Sequence, residues 1–246
     1  MISQLRSRYR HEQFTPTWLS LFVNSNYLIR RGIYEGIKTN SPVMSGVMLD
    51  FGCGTKPYKK FFDVDKYVGI DIKNDAHDND LSFVDVFYDG RHIPFENDYF
   101  DSIYSSEVLT HISDIESVMK EIARVLKPGG KMLITVPFVW HENEQPNDAV
   151  RYTSFGIVNL LERHGLKVLQ QEKYGSYFTA AIQTRNAYLY HALFPKSALL
   201  KFILTLIFIA PYNIFAAAFA PLLGKNQDLF SNMVIIAEKR LPGTPL

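Results

Sequence analysis

The sequence predicts an α/β chain in which a mostly parallel sheet carries helices on both faces. Three observations predict it. Between residues 46 and 175, short apolar runs alternate with amphipathic stretches, as successive strand–helix–strand units require. The first of these runs ends directly in a Gly-rich loop, Gly52-Cys53-Gly54. Turn residues such as Lys127-Pro128-Gly129-Gly130 separate helical from strand-like periodicity.

The elements follow in order. Residues 1–45 place Trp18, Leu19, Leu21, Phe22, Leu28, Ile29, Ile33 and Ile37 near helical spacing, which predicts an N-terminal helical cap. GVMLDF (46–51) and YVGIDI (67–72) read as strands, and LSFVDVF (81–87) and FDSIYS (100–105) as weaker ones. Ser113 to Leu126 reads as a helix with Ser113 at the N-cap and Glu116 three residues on. Lys127-Pro128-Gly129-Gly130 reads as its stop. A strand (131–138), a helix from Ser154 to His164 and a strand (166–172) follow. Residues 176–231 are apolar and aromatic, and 232–246 hold a last strand, MVIIAEK, and a tail.

Composition narrows the function classes. The chain has 246 residues, the size of one domain, or of one domain with an attached module. Its 26 Lys plus Arg against 25 Asp plus Glu give a net charge of +1, which argues against a partner held by phosphate neutralisation. No nucleic acid is expected. A hydrophobic fraction of 47% excludes intrinsic disorder. Cys53 is the sole cysteine, so no intramolecular disulfide forms and a reducing, cytoplasmic setting is expected. The basic start, MISQLRSRYRHEQF, lacks the apolar run of a secretory signal. No His, Cys, Asp and Glu spacing suggests a metal site.

The loop after the first strand carries the strongest chemical signal. Gly52 and Gly54 remove side chains where the backbone must turn sharply and approach a ligand. Asp50 stands at the strand end, where it could fix the loop or reach a polar group of the ligand. Asp71 lies 21 residues on, at the end of the next strand, where a carboxylate can accept from two ribose hydroxyls. The bland reading is a Gly-containing turn beside a solvated aspartate. A dinucleotide fingerprint would require a third Gly where Pro57 stands. A ligand without pyrophosphate, such as S-adenosyl-L-methionine, has less need of it.

LDFGCGTKPY, VGIDI, DGRHIPFENDYFDSIYSSEVLTHI and LKPGGKMLITVPF, in that order over about residues 45–175, resemble class I S-adenosylmethionine-dependent methyltransferases of the type 11-like group. The resemblance implies a Rossmann-like, seven-stranded sheet with an antiparallel last strand. It places the methionine part of the cofactor on Gly52 and Gly54. It places the ribose on Asp71 beside Ile72, and the adenine amino group on Asp89 with Gly90. Asp85 is a rival for that last role. Ser106, in Ser105-Ser106-Glu107, would line the reactive end. A sulfonium is a cation, so carboxylates suit its surroundings. The alternatives are an NAD-type oxidoreductase and a non-catalytic scaffold.

The acceptor side is expected after the fifth strand, beyond its carboxyl end. The segment resembles a subgroup pattern with His, Pro, Asp, Arg, Tyr and Thr at His141, Pro146, Asp148, Arg151, Tyr152 and Thr153. Functionally, His141 would be a general base, Asp148 and Arg151 acceptor contacts, and Trp140 or Tyr152 a stacking platform. The bland reading is a loop salt bridge between Asp148 and Arg151, with Thr153 or Ser154 capping the next helix. His111 reads as a pocket-wall residue rather than the base.

About 60 residues separate the last two strands, so helices are expected between them. Candidates are Ala198–Ala210 and Ile214–Leu223, broken at Pro211-Tyr212-Asn213. No charged side chain occurs from Phe202 to Leu223. If the last strand rejoins the sheet, a single membrane crossing is excluded, and each half is shorter than the ~20 residues a crossing needs. Residues 198–223 therefore lie in a membrane surface, pack on the domain, or join a homodimer. Lys196, Lys201 and Lys225 flank them and suit an anionic surface. Peripheral membrane contact would favour a lipid-linked acceptor over a free small molecule or glycan.

Overall fold

The computed structural model describes residues 12–73, 81–224 and 226–243. Lys225 and most of the basic N-terminal stretch lie outside the described residues. One sheet contains seven strands: β1 (Val47–Phe51), β2 (Lys66–Ile72), β3 (Val86–Tyr88), β4 (Phe100–Ser106), β5 (Leu126–Pro137), β6 (Leu166–Tyr174) and β7 (Asn232–Lys239). Their order is β3-β2-β1-β4-β5-β7-β6. β1 pairs in parallel with β2 and β4, and β2–β3 and β4–β5 are also parallel. β7 runs antiparallel to β6. Ser231 N donates to Tyr174 O and Arg240 N to Gly165 O, each at 2.9 Å, so the start of β7 meets the end of β6.

The apolar runs become strands covered on both faces, as a parallel sheet demands. Met48, Leu49 and Phe51 of β1, Met132, Leu133 and Val136 of β5, and Met233 and Ile235 of β7 are buried. The helices are α1 (Tyr27–Asn40), α2 (Ile115–Val125), α3 (Ser154–Arg163), α4 (Tyr177–Tyr188) and α5 (Ala198–Phe219). α2 buries Val118, Met119, Ile122 and Val125, the stripe its spacing predicts.

Four local expectations are corrected. α2 is capped by Asp114, whose side chain accepts from Ser117 N at 3.3 Å, rather than by Ser113. Lys127-Pro128-Gly129-Gly130 is absorbed into β5 as a bulge. Phe100 pairs Leu126 while Ser102 pairs Lys131, and Gly129 takes φ +75° to accommodate the extra residues. The run LSFVDVF yields only the short edge strand β3 and a 3-10 turn at Leu81–Phe83, so Asp85 precedes β3 instead of ending it. The apolar stretch is one helix, not two. Pro211 falls just after a π-turn at Thr205–Ile209, in the first turn of the following α-helical segment. There its missing N–H costs nothing, so no break is needed.

The chain divides into two compact units. Ile37–Glu172 with Met233–Leu246 holds almost all of the sheet. Met1–Gly36 with Lys173–Asn232 holds α4, α5 and most of α1.

Asp50 is a carboxylate inside the sheet. It is buried in β1 and accepts from the Tyr67 hydroxyl. Burial pushes its pKa from 3.8 up to about 7, against the lowering effect of that hydrogen bond. A raised acid binds its proton more tightly folded than unfolded, so its contribution to stability falls as pH rises from about 4 to about 7. Urea unfolding of Asp50→Asn is expected to lose that part of the fall across this window. An identical pH dependence in the variant would contradict the assignment.

Candidate active site

The loop after β1 is built on the end of β2. Gly52 N and Cys53 N both donate to Ile70 O at 3.0 Å. Gly54 N donates to Asp71 Oδ2, and Ile72 N to Asp71 Oδ1, both at 2.8 Å. Asp71 is thus the hinge pin of the loop as well as the expected ribose ligand. Gly52 sits at φ +74°, and a Cβ there would lie 2.4 Å from Val108 Cγ2. Gly54 sits at φ +48°, with nothing within 4 Å of its Cβ direction. The first glycine is required by packing, and the second faces open space that a ligand can fill.

Charge at the loop is mostly negative. The Asp71 and Asp85 carboxylates act on Asp50, and Lys56 offsets them. Lys56 is held by Asp85, with Nζ 2.6 Å from Oδ2, and its side chain is only 7% exposed. Asp85 also accepts from Gly69 N at 2.7 Å. Burial pushes the Asp85 carboxyl up, but Gly69 N–H and Lys56 overcome this and hold it below the usual range. This Lys56–Asp85–Gly69 clasp was not foreseen. A signal was present in the aspartate just before β3, read above as a rival adenine ligand. Here it serves the loop.

The adenine-side residues come together. A Cβ on Gly90 (φ +80°) would lie 3.6 Å from Ile72 Cγ2, and the Ile72 side chain is exposed. Asp89 Oδ1 accepts from Arg91 N and His92 N at 2.8 Å, and these N–H groups hold its pKa low. Arg124 of α2 clips the segment in place, donating to Ile93 O at 2.9 Å and Phe95 O at 2.8 Å.

At the end of β4, Ser106 Oγ lies 2.8 Å from Thr135 Oγ1, which donates to Glu107 Oε1 at 2.8 Å. Glu107 adopts φ +61°, a left-handed conformation costly for a non-glycine residue, and its N–H donates to Thr135 O at 3.0 Å. No sequence signal marks that strain.

The segment after β5 folds around one ion pair. Arg151 donates through Nη1 and Nη2 to both oxygens of Asp148. The Asp148 side chain is only 3% exposed. It also accepts from Asn143 N at 2.9 Å, and its pKa is held low by the Arg151 hydrogen bonds. Arg151 Nη2 further donates to His141 O at 3.1 Å. Ala149 N and Val150 N donate to Thr110 O, docking the segment on the turn that carries His111. His111 Nδ1 lies 3.8 Å from Asp148 Oδ1. Thr153 caps α3 by accepting from Gly156 N at 3.0 Å. Asp148 and Arg151 thus form the loop salt bridge of the bland reading.

His141 is exposed, with its ring 4.5 Å from that of Trp140. Partial burial, then Arg151, lower its pKa. Trp140 is half-buried, while Tyr152 is buried and joins the core. Of the two, Trp140 is the more accessible ring. Among the described residues, no group of three or more His, Cys, Asp or Glu could hold a metal ion.

Removing Arg151 would leave a buried carboxylate beside His111. Arg151→Ala is expected to cost about 2 kcal/mol in urea unfolding, with Arg151→Lys failing to restore it, because the fork is bidentate. A cost within error of zero would show that the pair does not organise the segment.

The comparisons with known proteins agree with this geometry. Residues 49–134 match the family model of a methyltransferase domain. The chain is 32% identical over 138 residues to the sterol 24-C-methyltransferase erg6 of Aspergillus fumigatus, covering 49% of this chain and 33% of that protein. It therefore spans about a third of that relative's length. Among solved structures, it resembles the methyltransferase solved in complex with the Trm112 methyltransferase activator of Haloferax volcanii (TM-score 0.57, 16% identity, 87% of this chain and 91% of that one). It also resembles phosphoethanolamine N-methyltransferase 2 of Haemonchus contortus, solved with S-adenosyl-L-methionine (TM-score 0.54, 18% identity, 94% and 59%). At these identities the structural likeness shows the fold. A dinucleotide-binding sheet has the order 3-2-1-4-5-6, without an antiparallel strand between the fifth and sixth. Residues 49–134 are thus similar to the methyltransferase-domain family, and they lie in a sheet of order β3-β2-β1-β4-β5-β7-β6 whose first loop folds on Asp71.

Proposed function

We propose that this chain transfers a methyl group from S-adenosyl-L-methionine to a small-molecule acceptor, in its favoured form one carried on or in lipid. The observation that carries the reading is the loop: Gly54 opens onto space beside Asp71, in surroundings rich in carboxylate. The residues fit the cofactor. Gly52 and Gly54 would hold its methionine part by backbone contact. Asp71 would hold the ribose, since a carboxylate at the end of β2, beside the loop it anchors, can accept from neighbouring hydroxyls. Ile72 and Gly90 would flank the adenine, with Asp89 at its amino group. The bound cofactor supplies an electrophilic methyl carbon on a cationic sulfur. The chain's own part is to orient the acceptor, exclude water and accept a proton where the acceptor loses one.

His141 is the proposed base. Its lowered pKa keeps the imidazole neutral, and able to accept, at neutral pH. Trp140 is the proposed stacking surface. Asp148 and Arg151 act on the acceptor by shaping the segment between them. The lipid-borne acceptor is favoured by the sterol methyltransferase among the relatives and by the exposed apolar helix α5.

Calorimetry with S-adenosylhomocysteine tests the site. Asp71→Ala is expected to weaken binding by about 1.5–3 kcal/mol, through loss of charge-assisted ribose contacts and of the loop's hinge pin. Unchanged affinity would remove Asp71 from the cofactor site. His141→Ala is expected to lower turnover about 100-fold while leaving cofactor affinity intact. An equal loss in both would assign His141 a structural role.

A further inference from the structure

The polarity of α5 is inverted relative to a water-facing helix. Its buried side is a narrow stripe of Thr205, Ile209, Ala210, Asn213 and Ala216. Two of those five are polar and two are small alanines, and both polar side chains are hydrogen-bonded inside the unit. Asn213 Nδ2 donates to Leu21 O at 3.1 Å and Asn24 O at 3.0 Å, and Asn213 Oδ1 accepts from Asn186 Nδ2 at 2.9 Å. Thr205 Oγ1 donates to Lys201 O at 2.8 Å. The large apolar side chains point out instead. Leu199, Phe202, Ile207, Phe208, Phe215 and Phe219 are 45–71% exposed. Ala217, Ala218 and Phe219 are exposed in succession, and three consecutive residues sweep about 200° of a helix. Only 28% of the most apolar stretch of α5 is buried.

A soluble helix buries its apolar stripe and exposes its polar face. A helix in lipid does the reverse, turning small and polar side chains to its protein neighbours. A rigid partner protein covers one arc of a helix. Apolar exposure around most of the circumference suits a fluid apolar medium. The N-terminal end matches such a medium. Lys196 and Lys201 stand there, with Lys201 Nζ 4.4 Å from the Tyr190 ring centre. A cation and tyrosine paired in this way sit well at an anionic headgroup layer. Midway along α5, on the side held to the protein, Arg185 lies 3.5 Å over Tyr212 and donates to Phe208 O at 3.0 Å.

Connectivity decides how α5 meets lipid. The insertion leaves after β6 and returns before β7, where Ser231 N donates to Tyr174 O. Both ends are on one side. The described residues between 220 and 231 form no helix of their own, and an irregular return strand cannot cross hydrocarbon. We infer that α5 docks the protein on an anionic membrane surface as a monotopic helix, its apolar circumference sunk among the acyl chains and its Thr205–Asn213 stripe held to the protein. This holds whether or not the chain transfers methyl groups.

The test is co-sedimentation of the full chain with phosphatidylcholine vesicles, with and without phosphatidylglycerol. Sedimentation velocity without lipid runs in parallel. The chain is expected to pellet with the anionic vesicles and to bind neutral ones more weakly. Ile207→Asp and Phe215→Asp are each expected to weaken vesicle binding about tenfold. Each should keep S-adenosylhomocysteine affinity and a wild-type unfolding midpoint, which shows that the fold survives. Either variant binding vesicles as wild type does would overturn the proposal. So would a chain that stays in the supernatant with both vesicles, or a lipid-free dimer that the same substitutions split. That last result would assign the face to a second copy of the chain.

Discussion

Two backbone N–H groups, those of Gly52 and Cys53, converge on the single carbonyl of Ile70, and the next, from Gly54, reaches Asp71. This folds the loop after β1 over the end of β2, and the rest of the site depends on it. The side chains that the fold-back brings over β2 pack directly against Gly69, which has no side chain of its own. A Cβ there would lie 2.2 Å from Lys56 Cε and 2.8 Å from Cys53 Sγ. Packed this way, the loop gathers carboxylates that repel one another, and Lys56 offsets them from its place against Asp85. Burial, and after it the neighbouring carboxylates, push the Cys53 thiol up to about 12, and burial raises Asp50. One fold-back thus sets the loop's shape and gathers its charges.

The two units solve opposite problems. The sheet unit is organised as water-soluble α/β proteins are, with apolar strands inside and charges such as Glu116, Asp89 and Lys127 toward solvent. Around α5, polar groups lie inside and apolar ones outside, and the interior is stitched by amides. Gln183 Nε2 donates to Ser25 O at 3.0 Å, and Asn186 and Asn213 complete the network. A buried amide needs a partner, so these bonds specify how the helices dock where apolar packing alone would not.

The strands were readable because parallel-sheet strands are near-continuous apolar runs, and the loop because Gly52, Gly54, Asp50 and Asp71 keep their spacing. The same reading failed where local signals compete with packing. Pro211 is a helix breaker in isolation, yet a preceding π-turn accommodates it. Lys127-Pro128-Gly129-Gly130 is a turn in isolation, yet pairing with β4 draws it into β5. Ser113 and Asp114 are both good caps, and only backbone geometry selects Asp114. At the site, the positions of His111 near Asp148 and of Glu107 against Thr135 arise from contacts between residues 28 or more apart, which carry no mark in either local stretch. The inverted polarity of α5 was likewise invisible. An apolar run shows what a helix contains, not which side its few polar residues face.

The central claim is that this geometry serves methyl transfer to a lipid-borne acceptor. The most direct measurement is mass spectrometry of cell extract incubated with the purified chain and methyl-deuterated S-adenosyl-L-methionine, with the lipid and aqueous fractions analysed apart. The account predicts a deuterated methyl product in the lipid fraction that depends on the added chain. A product confined to the aqueous fraction would contradict the acceptor, and cofactor binding without a labelled product in either fraction would contradict methyl transfer itself.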